Sequence, residues 1–215
     1  QSWLDNLKQF MGTSAEVERG IMDNIRRSLS GLVEKVRQLS QVTLEPRIGK
    51  GNTLDAIVEA ASGFDLLVLG ARGKHAVRSL ALGTTSQRLL GKTRKPILIV
   101  KRKPHNPYQR VLVAVDFSPN SLKALQYAPA VAPGSLIYLV HVFEPFPERM
   151  MISAGVPDEV IDEYRTEARL EAEAEMTRFV EEAGVDPRCL VRVVEHGHAP
   201  GKLPEIVHKR DPYLI

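Results

Sequence analysis

The residue types that could do chemistry are concentrated between 65 and 101, spaced Gly70-x2-Gly73-x9-Gly83-Thr84-Thr85. Gly70 and Gly73 can take positive φ and let backbone N–H groups come close to an anion. Gly83 permits a second close approach. Thr84 and Thr85 then offer hydroxyls and amides at the start of a helix, where exposed donors and the dipole favour phosphate. Arg72, Lys74 and Arg78 lie between the glycines and can neutralise phosphate charge. The chemistry is the cradling of a phosphate chain by two glycine-rich turns. The plainer alternative is that the glycines only make tight turns and the basic residues are solvated. Asp116, in Asp116-Phe117-Ser118-Pro119, is a second candidate. A carboxylate at the carboxyl end of a strand can accept from ribose hydroxyls or an adenine amine. Its plainer role is an Asx turn that caps the next helix.

The elements that must position these residues can be read from periodicity. Leu66 to Leu69, bounded by Asp65 and Gly70, predicts a buried parallel strand, and Pro96 to Val100 predicts a second, with proline where a strand can begin. Between them, Thr84 to about Leu90 predicts a helix stopped by Gly91. Upstream, Trp3, Leu4, Leu7 and Phe10, then Val17, Ile21, Ile25, Leu29, Leu32, Val33, Val36 and Leu39, recur at helical spacing. They predict helix over 1–40 with its apolar stripe facing a core. Val42–Ile48 is a short strand candidate, and Asn52 or Thr53 caps a helix through Ala61. Lys50, in Gly49-Lys50-Gly51, reads as a solvated loop lysine.

Residues 102–109, with two prolines and no periodicity, predict a linker. The pattern then restarts. Val111–Val115 predicts a buried strand, and Ser118 an N-cap with Pro119 at the first helical position. The helix runs to Val131, and Leu136–Val142 is the next strand. The stretch 145–157 reads as loop, and 158–183 as a long charged helix ending at Gly184, its acidic run a solvated face. Leu190–Val194 predicts a third strand, followed by a loop at Gly197 to Gly201 and a short helix carrying Leu203, Ile206 and Val207. Helices alternating with strands imply a parallel sheet with helices packed on it.

Composition narrows the classes. At 215 residues the chain allows one or two domains, and 43% hydrophobic with 26% charged residues is ordinary for a globular protein. The net charge of +3 comes from scattered basic residues rather than a long tract interleaved with aromatics, which argues against a nucleic-acid partner. Cys189 is the only cysteine, so no intrachain disulfide forms, and its apolar neighbours suggest a core thiol. No window is apolar enough for a membrane span and no signal peptide is visible, so the expected location is the cytoplasm. Glu195-His196-Gly197-His198 places two imidazoles two apart, but a zinc site wants three or four convergent ligands. No Ser-His-Asp elbow and no general base beside the cradle are apparent.

The stretch 65–103 resembles the universal stress protein family, whose nucleotide-binding members carry G-x2-G-x9-G-[ST] between their fourth and fifth strands. It is neither a Walker loop nor a Rossmann fingerprint. The second half resembles the family's opening. Asp116 corresponds to the family's first-strand aspartate, and Val142 to the second-strand residue whose backbone meets the base. The resemblance implies an α/β fold: an open parallel five-stranded sheet with helices on both faces, adenine nucleotide alpha hydrolase-like and thus Rossmann-like. It implies two tandem repeats, each partial. Residues 1–101 correspond to the last two-thirds of one domain, lacking strands 1 and 2. Residues 110–215 correspond to the first two-thirds of another, stopping as strand 4 would start at Tyr213-Leu214-Ile215. The chain thus reads as the middle of a tandem protein, a fragment or a chain with omitted segments.

The functional implication is a stress-response regulator that binds ATP or a related adenine nucleotide, alone or with Mg2+, through Gly70, Arg72, Gly73, Gly83, Thr84, Thr85, Asp116 and Val142. It implies binding rather than catalysis, with at most slow ATP hydrolysis. Strand 96–100 is the expected pairing edge of a homodimer or pseudo-dimer. The rival readings are a scaffold of the same fold that acts through protein contacts alone, a true enzyme such as an ATPase or nucleotidyl transferase, for which no base or metal carboxylate near Thr84 is evident, and a regulatory domain of a larger protein.

Overall fold

The computed structural model describes residues 14–49, 51–70, 84–101, 106–145 and 148–215. These form two compact units, divided between Leu98 and Ile99.

In the first unit, helix α1 spans Ser14–Leu39 and α2 spans Thr53–Ala61. Asn52 caps α2: its Oδ1 accepts from the Leu54 N–H at 2.9 Å, satisfying a donor that the first helical turn leaves unpaired. Strand β1 (Leu67–Gly70), helix α3 (Thr84–Leu90) and strand β2 (Ile97–Val100) follow. The two strands pair, with Leu67 N donating to Pro96 O at 3.0 Å. Helices α2 and α3 pack together, Leu89 is fully buried, and Lys92 Nζ meets Asp55 Oδ1 at 3.1 Å.

Three expectations for this unit are corrected. The apolar stripe of α1 is not in a core: Ile21 is 55% exposed and Leu32 58%. Residues 42–48 form no strand, although the chain there alternates as one would. β1 alternates between half-buried and exposed, with Val68 55% exposed, rather than being buried throughout. All three share one cause. A helix stripe or a strand is buried only against an opposing face or ladder, and the described part of this unit supplies two four-residue strands. The expected helix over 1–13 lies outside the described residues.

The second unit has a continuous core. Strand β3 (Arg110–Val115) is followed by helix α4 (Pro119–Val131), strand β4 (Leu136–Phe143) and short helix α5 (Glu148–Ser153). Next come helix α6 (Asp158–Ala183), a 3-10 turn at Pro187–Cys189, strand β5 (Leu190–His196) and helix α7 (Ala199–Arg210). Helix α5 corrects the reading of 145–157 as loop, where the prolines masked a six-residue helical stretch. Cys189 is half-buried at the core's margin, its thiol 2.9 Å from the Asp186 carbonyl.

The strands lie in the order β3-β4-β5, all parallel. On the far side of β3, Leu214 makes a parallel bridge to Val111, and Leu112 N donates to Leu214 O at 2.8 Å. Tyr213–Ile215, where a fourth strand is expected, thus carries an isolated parallel bridge to β3. One face of the sheet packs Val113, Val115, Ile137 and Leu139 against Leu125 and Ala128 of α4 and Met176, Phe179 and Val180 of α6. The other face packs Leu112, Val140 and Val193 against Ile206 of α7. The sheet is thus covered on both faces, which explains the near-continuous apolar runs in its strands.

Candidate functional site

The sheet order sets where a ligand can enter. From β3, helix α4 leads to β4 on one side, whereas α7 returns the chain to Leu214 on the other. The order reverses at β3, and in open α/β sheets the crevice at such a reversal, outside the carboxyl ends of the strands, receives ligands. Asp116 is the first residue beyond β3. The register pairs Val115 with His141, so Asp116 stands level with Val142 at the carboxyl end of β4. The family resemblance singles out both residues, and the register brings them to adjacent strand ends.

The turn after β3 is sharply built. Phe117 has φ of 60°, a left-handed value that is uncommon for an aromatic residue. Its ring packs 4.2 Å from the His141 ring and 5.5 Å from that of Phe179, so core packing holds the strained backbone in place. His141 Nδ1 lies 2.9 Å from the Val115 carbonyl, tying β4 to the end of β3. Asp116 Oδ1 accepts from Ser118 N at 3.1 Å, and Ser118 Oγ accepts from Ser121 N at 3.3 Å. Asp116 therefore makes the Asx turn that was its plainer reading, and Ser118 with Pro119 begins α4 as the sequence predicts. Hydrogen bonding from Ser118, with Ser121, holds the Asp116 carboxyl below the usual carboxylate range. The residue remains exposed, so one carboxylate both shapes the turn and faces solvent at the crevice.

A second cluster borders the same edge. Glu148, the first residue of α5, is buried, with a side chain 8% exposed. Its Oε1 accepts from Arg165 Nε at 2.8 Å, and its Oε2 lies 2.6 Å from His196 Nε2 at the end of β5. Burial pushes the Glu148 carboxyl up, but the bonds and charges of Arg165 and His196 outweigh it and hold the group below its ordinary range. Arg165 also donates to Asp162 at 2.8 Å. Nearby, His198 Nδ1 is 2.9 Å from Glu144 Oε2. Sequence reasoning noticed His196 and His198 only as metal candidates. No His, Cys, Asp or Glu cluster among the described residues is arranged to hold a metal. The carboxylate partners stand 48 and 54 residues away, too far for local spacing to reveal.

The glycine-rich candidates belong to the first unit. Gly70 closes β1, and Thr84 opens α3 with Thr85, exposed, next. Arg72, Gly73 and Gly83 lie outside the described residues.

The model of the universal stress protein family matches residues 11–101 and again 107–215. A universal stress protein of Methanocaldococcus jannaschii is 30% identical over 90 residues, covering 41% of this chain and 51% of the relative. One from Thermus aquaticus is 40% identical over 75 residues, covering 32% of this chain and 55% of the relative. The chain thus spans about half the length of these curated relatives. Among solved structures, a universal stress protein from Archaeoglobus fulgidus superposes with a TM-score of 0.58 at 18% identity, over 89% of this chain and 64% of its own. One from Pseudomonas aeruginosa, described as putative, gives 0.56 at 18% identity, over 87% and 64%. These likenesses show a shared fold. Two successive matches spanning most of its length show that the chain belongs to the universal stress protein family, as two domains in tandem.

Proposed function

We propose that the chain binds an adenine nucleotide, with ATP the principal ligand, and acts as a stress-response regulator whose nucleotide state alters its protein contacts. The observation that supports this reading is the placement of Asp116 and Val142 level with each other at the carboxyl edge, at the strand where the sheet order reverses. There Asp116 would accept from ribose hydroxyls, and the Val142 backbone would meet the base. Gly70, Arg72, Gly73, Gly83, Thr84 and Thr85 form the proposed phosphate cradle, which takes ATP alone or with Mg2+. The chain is proposed to be a binding protein rather than an enzyme, with at most slow hydrolysis. We assign it to the cytoplasm, pairing through strand 96–100 with a second copy or domain.

The test is denaturing extraction of the purified protein with mass analysis of released small molecules, followed by melting with added ATP. A micromolar site corresponds to about 8 kcal/mol of binding free energy, and saturating ATP raises the melting temperature by mass action. Asp116→Ala and Gly73→Val, measured separately, report on the residues proposed in the second and the first unit, each by itself. No released nucleotide and no melting shift at millimolar ATP would sink the reading. The scaffold alternative would then lead. It already has one point in its favour, that Asp116 Oδ1 is engaged by Ser118.

A further inference from the structure

Strand β5 is the outer strand of the second unit's sheet, and among the described residues nothing pairs with its far edge. An edge of this kind presents unpaired N–H and C=O groups that can take up another strand. Helix α6 flanks β5 on one face of the sheet and α7 on the other. Between them lies a groove of about 530 Å3, lined by Arg169, Glu173 and Thr177 of α6, Arg192 and Glu195 of β5, and Arg210 of α7.

The three guanidinium groups in this groove are held in place. Arg192 Nη1 donates to Thr177 Oγ1 at 3.1 Å. Arg169 Nη1 stands 3.7 Å from Glu173 Oε1 and its guanidinium 5.8 Å from the Phe143 ring. Arg210 lies over the Tyr138 ring at 5.1 Å. Leu190 and Val194 pack with the α6 face and Val191 and Val193 with the α7 face. By alternation, Arg192 belongs to the α6 side and Glu195 to the α7 side. A strand added at this edge would direct successive side chains to the two sides in turn, one carrying Arg169 and Arg192, the other Arg210.

We propose that this groove receives an extended acidic peptide segment of a partner protein, which adds to β5 as a further strand and sets its carboxylates against these arginines. Backbone bonds supply affinity in such strand addition, and the flanking side chains supply selectivity. Arginine suits the role because its planar fork grips carboxylates with two parallel bonds. A second copy of β5 fits less well. In a two-fold antiparallel pair, Arg192 would face Leu190, Arg192, Val194 or His196 of the other copy, depending on register, and never Glu195, which lies on the opposite face. No register of a second β5 thus sets a carboxylate opposite Arg192, whereas an acidic strand does.

The test uses the full chain and two fluorescein-labelled octapeptides, (Glu-Glu-Val-Val)2 and (Lys-Lys-Val-Val)2, which present charges to both sides of an added strand, read by anisotropy and by amide exchange. The expected result is binding of (Glu-Glu-Val-Val)2 alone, with slowed exchange at amides within 190–196. The double variant Arg192→Ala, Arg210→Ala should weaken binding by roughly tenfold or more while melting as the parent does. If that variant fails to fold, Arg169→Ala provides the same readout from the α6 side of the groove. Equal binding of both peptides, no binding at about millimolar peptide, or binding without protection at 190–196 would each overturn the proposal.

Discussion

Replacing Glu148 with alanine should destabilise the second unit more than any other single change at its polar edge. The carboxylate is buried and joins three elements: it opens α5, accepts from Arg165 of α6 and meets His196 of β5. Removing one partner of a fully buried ion pair costs about 3–5 kcal/mol, mostly because a charge is left without compensation. Here the orphaned Arg165 side chain is 38% exposed and keeps Asp162, so water and a second carboxylate recover part of that cost. The expected loss is therefore about 2 kcal/mol. For a domain of roughly a hundred residues this lowers the melting temperature by roughly 8 °C.

The measurement can be confined to the relevant unit. All five tyrosines lie beyond residue 98, so tyrosine fluorescence or near-ultraviolet circular dichroism at its band reports the second unit during heating. The pH dependence gives an independent check. The folded Glu148 carboxyl titrates below its unfolded counterpart, so its contribution is fully present above the unfolded value of about 4.3. That contribution is lost as pH falls through the lower folded value. The parent should thus lose stability on acidification more steeply than Glu148→Gln, which has no proton to take up. A melting shift of under about 1 °C, or parallel pH profiles for parent and Glu148→Gln, would refute the assignment of Glu148 as the tie between α5, α6 and β5.

Two further substitutions test the framework around the crevice. Ser118→Ala removes the side-chain acceptor for Ser121 N and should cost about 1 kcal/mol, seen as an earlier urea midpoint with an unchanged slope. Leu139→Ala empties a fully buried position in the middle of β4 and should cost about 3 kcal/mol, more than either polar change. An ordering in which Ser118→Ala exceeds Leu139→Ala in equilibrium unfolding would contradict the description of the core.

Legibility from the sequence differed between the two units for a physical reason. In the second unit the strands β3, β4 and β5, the Ser118-Pro119 helix start and the Gly184 stop were all readable. There the local signal and the tertiary environment agree: apolar runs are buried on both faces, and Gly184 takes φ of 65° as a left-handed helix stop. In the first unit the same kinds of signal misled. Val42–Ile48 alternates like a strand and α1 carries a stripe like a core helix, yet periodicity specifies which face wants burial, not whether a partner face is present. The short helix α5 escaped notice because Glu148 is fixed there by contacts with residues 165 and 196, which no local window contains.

The crevice shows the same division of information. Asp116 had two readings, ribose acceptor and Asx turn, and the sequence offered no way to choose. The structure shows the Asx turn and leaves the carboxylate exposed, so the ribose contact stands as a proposal. The Asx bond to Ser118 is what turns the chain sharply out of β3, and that turn is what keeps the carboxylate exposed beside Val142. Phe117 completes the arrangement by accepting a left-handed backbone that its packing on His141 and Phe179 holds in place. None of this is visible as a motif, because Asp-Phe-Ser-Pro encodes only the helix cap. The crevice arises where that cap meets the strand at which the sheet order reverses, and the reversal is fixed only when Leu214 pairs with Val111, over a hundred residues along the chain. A residue whose local role is structural is thus left exposed at the carboxyl edge by topology, which is why the Asx turn and the proposed ribose contact are compatible.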